Sequence, residues 1–361
     1  MRPIRILVDS LVDEGLPNAQ MGNAREIIRR LDPESFHVTT FVLGSPDPDI
    51  AARTNTKLIQ LPQRRQTIRI LTEFLLGTYD LLFYVKASPA SRWYLKLRDK
   101  WRDRRVTIGT IESQCNFKDL VDITPSARRL WERTILRCDC LYSNSLYVQN
   151  SLRSEYGLDS GVIPTGADTQ FFTPLRERPR NSRPQVLFVG SLRHRKHPEL
   201  VVDAARRFPQ ADFRIVGGGP LRAEMETQIA QHELRNITLA GVLGRESLRQ
   251  EYRQADIFFF PSTFEGSPKV IVEAAACELP VICRDSYEPE TVLHGVTGYQ
   301  AGSRDALFSF LRILLEDADL RQTLGRAGRK HSLRFDWGTI ASQWERTFRE
   351  LARPGLARYA S

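Results

Sequence analysis

Short apolar runs alternate with helix-period stretches along the whole chain. IRILVDS (4–10) is followed by AREIIRRL (24–31) and HVTTFVLG (37–44). KLIQL, YDLLFYV (79–85) and VTIGTI (106–111) continue the series, and CLYSNS (140–145) precedes YVQNSLRSEYG. This rhythm predicts a parallel sheet covered by helices. After VIPTGADTQFF (162–172), the polar, Pro- and Arg-rich TPLRERPRNSRP (173–184) reads as a linker. The pattern then restarts. QVLFVGS (185–191) is a strand, PELVVDAARRF (198–208) a helix, and DFRIVGGGP (212–220) a strand closing in a glycine turn. NITLAGV, ESLRQEYRQA and DIFFFPS give strand, helix and strand, PKVIVEAAACE a helix and PVICRD a further strand. The expected architecture is α/β, with two Rossmann-like doubly wound parallel-sheet domains facing across a cleft. The expected divisions are a first domain at 1–165, a linker at 166–184, a second domain at 185–335 and a terminal segment at 336–361. Ligands of such sheets meet the carboxyl ends of the strands, so the cleft is the natural site.

Composition narrows the classes. The chain has 361 residues, enough for two cores, with 41% hydrophobic and 26% charged residues, ordinary for a globular protein. No apolar run is long enough to span a bilayer. MRPIRILVDS has no signal-peptide core and reads as a first strand, so the expected location is the cytoplasm. Five cysteines, an odd number with no C-x-x-C pair, are read as reduced thiols. A net charge of +9 suggests an anionic partner, whether nucleic acid, a membrane surface or a phosphorylated ligand, or simply an Arg-rich surface that solvates well.

Candidate chemistry concentrates at FEGSPKVIVE (264–273). The stretch follows a buried strand, and Ser267 and Pro268 read as the cap and first residue of a helix. Free N–H groups of Lys269 and Val270 at such a helix start bind anions, and Lys269 adds charge. Glu273 lies one turn on and leans back toward the same mouth. Its carboxylate suits two neighbouring hydroxyls, as on a ribose, and Glu265 in the loop suits a second set. The plain alternative is two solvated acids complementing a helix dipole. VGSLRHRKHPE (189–199) tips the balance: Arg193, Arg195 and Lys196 sit in another strand-to-helix loop and suit a diphosphate. His194 and His197 have no third ligand beside them. VGGGPL (216–221) is not G-x-G-x-x-G, so a dinucleotide fingerprint is absent and tight strand-to-helix packing is expected there. This disfavours a dehydrogenase.

The second half resembles the retaining glycosyltransferases of family 4, which have the GT-B fold. The resemblance rests on VIPTGADTQFF, FVGSLRHRKHPELVVDA, FRIVGGGPLRAEME, the run ITLAGVLGRESLRQEYRQADIFFFPSTFEGSPKVIVEAAACELPVI, PETVLHGVTGY and RAGRKHSLRFDW. It is strong over about 160–345 and only an outline before that. It implies transfer of a sugar from a nucleoside diphosphate sugar, UDP- or GDP-linked, to an acceptor hydroxyl, with the anomeric configuration kept. It also implies no catalytic metal, and a same-face mechanism in which the leaving diphosphate helps deprotonate the acceptor. The family's E-x7-E element matches Glu265, facing the moving sugar, and Glu273, holding ribose. Lys196 falls at the diphosphate lysine, and Val242 and Leu243 fall where backbone meets the base. The last helix, IASQWERTFRELA (340–352), is expected to return to the first domain.

Four departures bear on the site. Ser191 stands where an arginine is common, so Arg193 or Arg195 substitutes. The E-x-F-G spelling becomes Glu265, Gly266, Ser267, Pro268. The family histidine near the reacting sugar is replaced by Glu112, at the end of VTIGTI, read as a hydrogen-bond acceptor or base for a hydroxyl. The family's Gly-Gly turn corresponds to Asn18-Ala19, with Gly15 or Gly22 as stand-ins.

SRWYLKLRDKWRDRRV (91–106) holds seven basic and two acidic residues, and Trp93, Leu97 and Trp101 recur at helical spacing. That pattern suits an anionic membrane surface, and equally a stripe packed on the domain under solvated charges. Nucleic acid is disfavoured, because no binding module is present. DPD (47–49) and DAD (317–319) imitate a metal-binding D-x-D and are discounted. The expected partners are the sugar-nucleotide donor and a sugar, lipid-linked or small-molecule acceptor, in cell-surface glycan, glycolipid or small-glycoside synthesis. Two other readings share the fold. An epimerase or phosphorylase would turn over without added acceptor or with phosphate, and a non-catalytic membrane-associated subunit would bind donor without turnover.

Overall fold

The computed structural model describes residues 2–15, 19–98, 100–101, 103–116, 124–177 and 181–353. The chain forms two compact units. One is built from the chain up to Pro164 together with the stretch from Trp337 onward, and the other is Thr165–Asp336.

The first unit holds β1 (Ile4–Leu11), α1 (Ala19–Arg30), β2 (Phe36–Val42), α2 (Pro48–Ala51), β3 (Thr56–Gln60) and α3 (Gln66–Leu76). Then come β4 (Leu81–Phe83), α4 (Pro89–Arg98), β5 (Val106–Ile111), α5 (Pro125–Glu132), β6 (Cys140–Ser143), α6 (Leu146–Tyr156) and β7 (Gly161–Val162). Its seven strands run in the order β3-β2-β1-β4-β5-β6-β7, and every pair is parallel. Successive residues of β1 feed opposite faces: Ile6 and Val8 enter one core with Ile27, Phe36 and Phe83, while Leu7 enters the other with Phe41, Phe74 and Tyr94. β4 ends at Phe83, two residues earlier than the apolar run YDLLFYV predicts. Tyr84 takes a left-handed backbone with φ 63° and turns the chain out of the ladder.

The second unit holds β8 (Gln185–Val189), α7 (Glu199–Arg207), β9 (Asp212–Val216), α8 (Arg222–Gln231), β10 (Ile237–Gly241) and α9 (Arg245–Gln254). It continues with β11 (Ile257–Phe260), α10 (Lys269–Ala276), β12 (Val281–Arg284), β13 (Gly298–Ala301), α11 (Arg304–Glu316) and α12 (Ala318–Ser332). The strand order is β10-β9-β8-β11-β12-β13, again all parallel. In both sheets the winding reverses beside the first strand, between β1 and β4 and between β8 and β11. In doubly wound sheets it is at such reversals, at the carboxyl ends of the strands, that ligands bind.

Residues 165–173, between the two sheets in sequence, are tied into the second unit. Thr169 donates to Asp336 Oδ2 at 2.6 Å, Arg329 Nη1 donates to the Thr169 carbonyl at 2.8 Å, and Arg253 Nε donates to the Thr173 carbonyl at 2.7 Å. The last helix, α13 (Trp337–Leu351), belongs to the first unit. Trp344 and Phe348 lie 4.7 and 4.9 Å from the Phe83 ring and close one face of that sheet. The two D-x-D lookalikes are helix caps: Asp47 accepts from the Ile50 N–H and Asp317 from the Leu320 N–H.

Candidate active site

In the second unit the residues singled out from sequence follow the two switch-point strands, apart from Val242 and Leu243 after β10. β8 leads through Gly190 and Ser191 into a short turn, His194–Lys196. The glycine turn after β9 packs directly on this loop. A Cβ on Gly217 would sit 1.9 Å from the Gly190 carbonyl oxygen, and one on Gly219 would sit 2.5 Å from that of Leu192. Both glycines have φ in the region that side chains avoid, 140° and 158°. The turn therefore serves close packing that holds the basic loop in place.

β11 leads through Ser262 and Thr263 to Glu265, which is buried. Here the two loops meet. Lys196 Nζ donates to Glu265 Oε1, Ser262 Oγ donates to the same oxygen, and Arg195 Nη1 stands 4.0 Å away. The Arg195 carbonyl accepts from the Thr263 N–H at 3.1 Å, and Arg195 Nη1 donates to the Phe264 carbonyl at 3.2 Å. Lys196 also lies 4.9 Å from the Phe260 ring centroid. Burial holds its ammonium below the ordinary lysine range, Glu265 pulls it back up, and Arg195 pushes it down. His197 bridges the loops, 2.8 Å from Glu199 Oε1 and 3.0 Å from Thr263 Oγ1.

The helix after Glu265 starts one residue later than the sequence reading places it. Pro268 keeps an extended ψ of 113° and occupies the cap position with no side-chain cap bond, so Ser267 is not the cap. The first intrahelical bond is made by Ile271 to the Pro268 carbonyl, so the N–H groups of Lys269 and Val270 precede it. Gly266 and Pro268 are buried and Ser267 half-buried. Glu273, on the second turn of α10, accepts a hydrogen bond from the Tyr252 hydroxyl at 2.9 Å. Burial raises its carboxyl above the usual range, against Lys269, Tyr252 and Arg245, which lower it. Val242 and Leu243 follow β10 at the sheet edge, Val242 exposed and in contact range of Gly218. Arg193 is exposed and Ser191 half-buried. Lys196, Arg195 and Glu265 thus form one cluster, while Val242 and Leu243 stand two strands from β8.

In the first unit Glu112 sits just past β5. Tyr84 donates its hydroxyl to Glu112 Oε1, and Asn23 Nδ2 donates to the same oxygen at 3.2 Å. Asn144 Nδ2 donates to the Glu112 carbonyl at 3.1 Å. Beside them, buried Asp9 accepts from the Lys86 N–H at 2.9 Å and the Ser91 hydroxyl at 3.2 Å. Burial depresses the Lys86 ammonium, and Asp9 and Glu112 pull it back up. Asn18 lies outside the described residues. Asp9, Lys86, Tyr84, Ser262 and Tyr252 were not singled out from sequence. The first four fall in or beside apolar runs, where polar groups read as strand ends, and Tyr252 lies on a helix, where an aromatic reads as core. The left-handed Tyr84 carries no local signal, since its neighbours are ordinary strand formers.

The basic stretch is helical only as far as Arg98, the end of α4, and has a mixed character. Arg98 is buried and donates to Asp139 Oδ2 at 2.7 Å and Thr107 Oγ1 at 2.9 Å. Arg105 is ion-paired with Asp103 and lies 4.3 Å from the Tyr79 ring centroid. Trp93 and Trp101 are 50% and 59% exposed, Leu97 is half-buried, and Trp101 lies past the end of α4 at Arg98. Arg92, Lys96, Lys100 and Arg104 are exposed around them, and α3 beside α4 exposes Ile68 and Leu76. Asp99 and Arg102 lie outside the described residues. Among the described residues no helix is long and apolar enough to cross a membrane.

Two doubly wound parallel sheets of this strand order in one chain make a GT-B architecture, the build of nucleotide-sugar-dependent glycosyltransferases. Sucrose-phosphate synthase from Thermosynechococcus elongatus superposes with a TM-score of 0.80 at 23% identity, over 96% of this chain and 99% of that one. Residues 173–331 match the family described as glycosyl transferases group 1. The chain is 30% identical over 312 residues to a D-inositol 3-phosphate glycosyltransferase of Corynebacterium jeikeium, covering 77% of this chain and 74% of that one. It is 27% identical over 335 residues to a GDP-mannose-dependent alpha-(1-6)-phosphatidylinositol monomannoside mannosyltransferase of Mycolicibacterium smegmatis, covering 84% and 80%. The chain belongs to the glycosyl transferases group 1 family, family 4 of the retaining glycosyltransferases, and uses a nucleoside diphosphate sugar as donor.

Proposed function

We propose that this glycosyltransferase moves a hexosyl group from a GDP- or UDP-linked sugar to a hydroxyl of an inositol-type polyol phosphate carried on a lipid, at the cytoplasmic face of an anionic membrane. The observation that carries the donor reading is the contact between Lys196 and Glu265, made beside the start of α10. The diphosphate competes with Glu265 for Lys196 and also takes the N–H groups of Lys269 and Val270. Glu265, released from the ammonium, accepts from a hydroxyl of the moving sugar. Glu273 takes the ribose diol, and the Val242–Leu243 backbone meets the base. In the reaction the bond from the anomeric carbon to the phosphate oxygen breaks. The acceptor oxygen bonds to the same face, and its proton passes to the departing phosphate. Lys196 and Arg195 neutralise the charge that develops there. Glu112, held by Tyr84 and Asn23, accepts from a hydroxyl of the acceptor.

The acceptor class is supported by the two inositol-directed relatives, and the membrane by the exposed Trp93 and Trp101 among basic side chains. The test is sugar transfer from GDP-mannose and UDP-glucose to phosphatidylinositol vesicles and to soluble inositol 3-phosphate, with vesicle flotation of the parent and of Trp93→Ala/Trp101→Ala. Transfer to the vesicles and loss of flotation in the variant support the reading. Transfer to the soluble phosphate alone, or equal flotation, overturns its lipid half. Absence of transfer from any sugar nucleotide overturns the whole.

A further inference from the structure

We propose that Tyr252 is the positioning residue of the donor site: it fixes one oxygen of Glu273 and so sets the direction in which the other meets the ribose hydroxyls. This inference rests on the reading of Glu273 given above. Tyr252 lies in the last turn of α9 and is wholly buried. Its ring is held on two sides, edge-on to Phe172 at 5.6 Å and tilted against Phe258 at 5.8 Å. A ring so confined cannot swing, and its hydroxyl direction is settled by packing. That hydroxyl donates to Glu273 Oε2 at 2.9 Å. Glu273 Oε1 takes no hydrogen bond among the described residues.

A buried tyrosine hydroxyl needs an acceptor, and a main-chain carbonyl would satisfy it equally well. Here the partner is the acid assigned to the ribose. A glutamate has three rotatable side-chain bonds, and binding a diol with both oxygens free would immobilise all of them. With Oε2 anchored, that ordering is complete before donor arrives. The charged and titratable groups facing Glu273 are Tyr252 from α9, Lys269 on its own helix and Arg245 at the start of α9. All three favour the carboxylate, the form that accepts from hydroxyls.

Tyr252→Phe keeps the ring and its packing and removes only the anchor. Calorimetry with UDP and GDP identifies the nucleotide bound more tightly by the parent. For that nucleotide the variant should bind roughly tenfold more weakly, with a melting temperature lower by only a few degrees, the cost of unpairing one buried acceptor. For its 2′-deoxy counterpart the penalty should shrink to about twofold or less, because the bond that Tyr252 supports is already missing. In turnover the loss should appear in donor KM rather than kcat. The acid limb of the KM profile should move to higher pH, since the hydroxyl holds the Glu273 carboxyl down. A uniform penalty on both nucleotides makes Tyr252 structural and overturns the proposal. Glu273→Ala separates the two levels. If it weakens binding while Tyr252→Phe does not, the positioning role alone fails. If it leaves binding intact, the ribose assignment fails first.

Discussion

Replacing Lys196 by methionine tests both the fold of the site and its chemistry. In the pair, the side chains of Lys196 and Glu265 are only 12% and 9% exposed. Removing one partner of such a pair leaves a buried charge, at about 3–5 kcal/mol. Arg195 at 4.0 Å and the Ser262 hydroxyl still face Glu265, so the lower figure applies, about 3 kcal/mol. For a unit the size of Thr165–Asp336, that corresponds to a melting shift of roughly 6–12 °C. The double variant Lys196→Met/Glu265→Gln removes the unpaired charge and should recover at least half of the shift. Activity should separate from stability. Both variants lose the group that neutralises the departing diphosphate, and kcat should fall about 10²–10³-fold in each. Thermal unfolding and initial-rate sugar transfer read the two quantities on the same samples. A single variant that melts within about 2 °C of the parent would refute the buried pair. A kcat reduced less than about fivefold would refute the leaving-group role.

Burial places the Lys196 ammonium below the ordinary lysine value of 10.5, and the protonated form is the useful one. The kcat/KM of the parent should therefore fall as pH rises through a value under 10.5, whereas in Lys196→Arg that limb should leave the accessible range. An identical limb in the arginine variant would assign it to another group. Gly217→Ala forces a Cβ to within 1.9 Å of the Gly190 carbonyl oxygen at a φ of 140°. It should destabilise the second unit by about 3 kcal/mol or more and raise donor KM, measured by melting and by kinetics. Arg98→Met leaves Asp139 without its 2.7 Å ion-pair partner but with two donors from Thr107, and should cost about 3 kcal/mol in denaturant unfolding. Its donor KM should stay at the parent value, because Arg98 belongs to the first unit and the donor residues to the second.

Much of the fold was legible because buried parallel strands are short apolar runs, several of them flanked by helix-period stretches, whereas β13 (Gly298–Ala301) is too short and polar to read as one. Boundaries slipped where the backbone left the regular regions. Tyr84 ends β4 early through a left-handed φ, and Pro268 delays α10 through an extended ψ. Individual site residues were legible by type and loop. Lys196 and Glu265 were each named for a different part of the donor, yet the sequence holds no sign that they pair, 69 positions apart. Their contact is made by strand order, which places β8 beside β11. Tyr252 was hidden for a related reason: an aromatic on the inner face of a helix reads as core, and only packing aims its hydroxyl at an acid.

The return of α13 to the first unit carries a consequence for synthesis. The helix is encoded after the whole of the second unit, yet its Trp344 and Phe348 seal the Phe83 face of a sheet whose last strand ends at Val162. At ribosomal speeds the interval between emergence of that sheet and of its seal is roughly 10–40 s. During that time the first unit is complete in strands but open on one apolar face, while the contiguous second unit has all it needs to fold. The unit made first is thus the one finished last, and its exposed face is the place where a nascent chain needs chaperone cover.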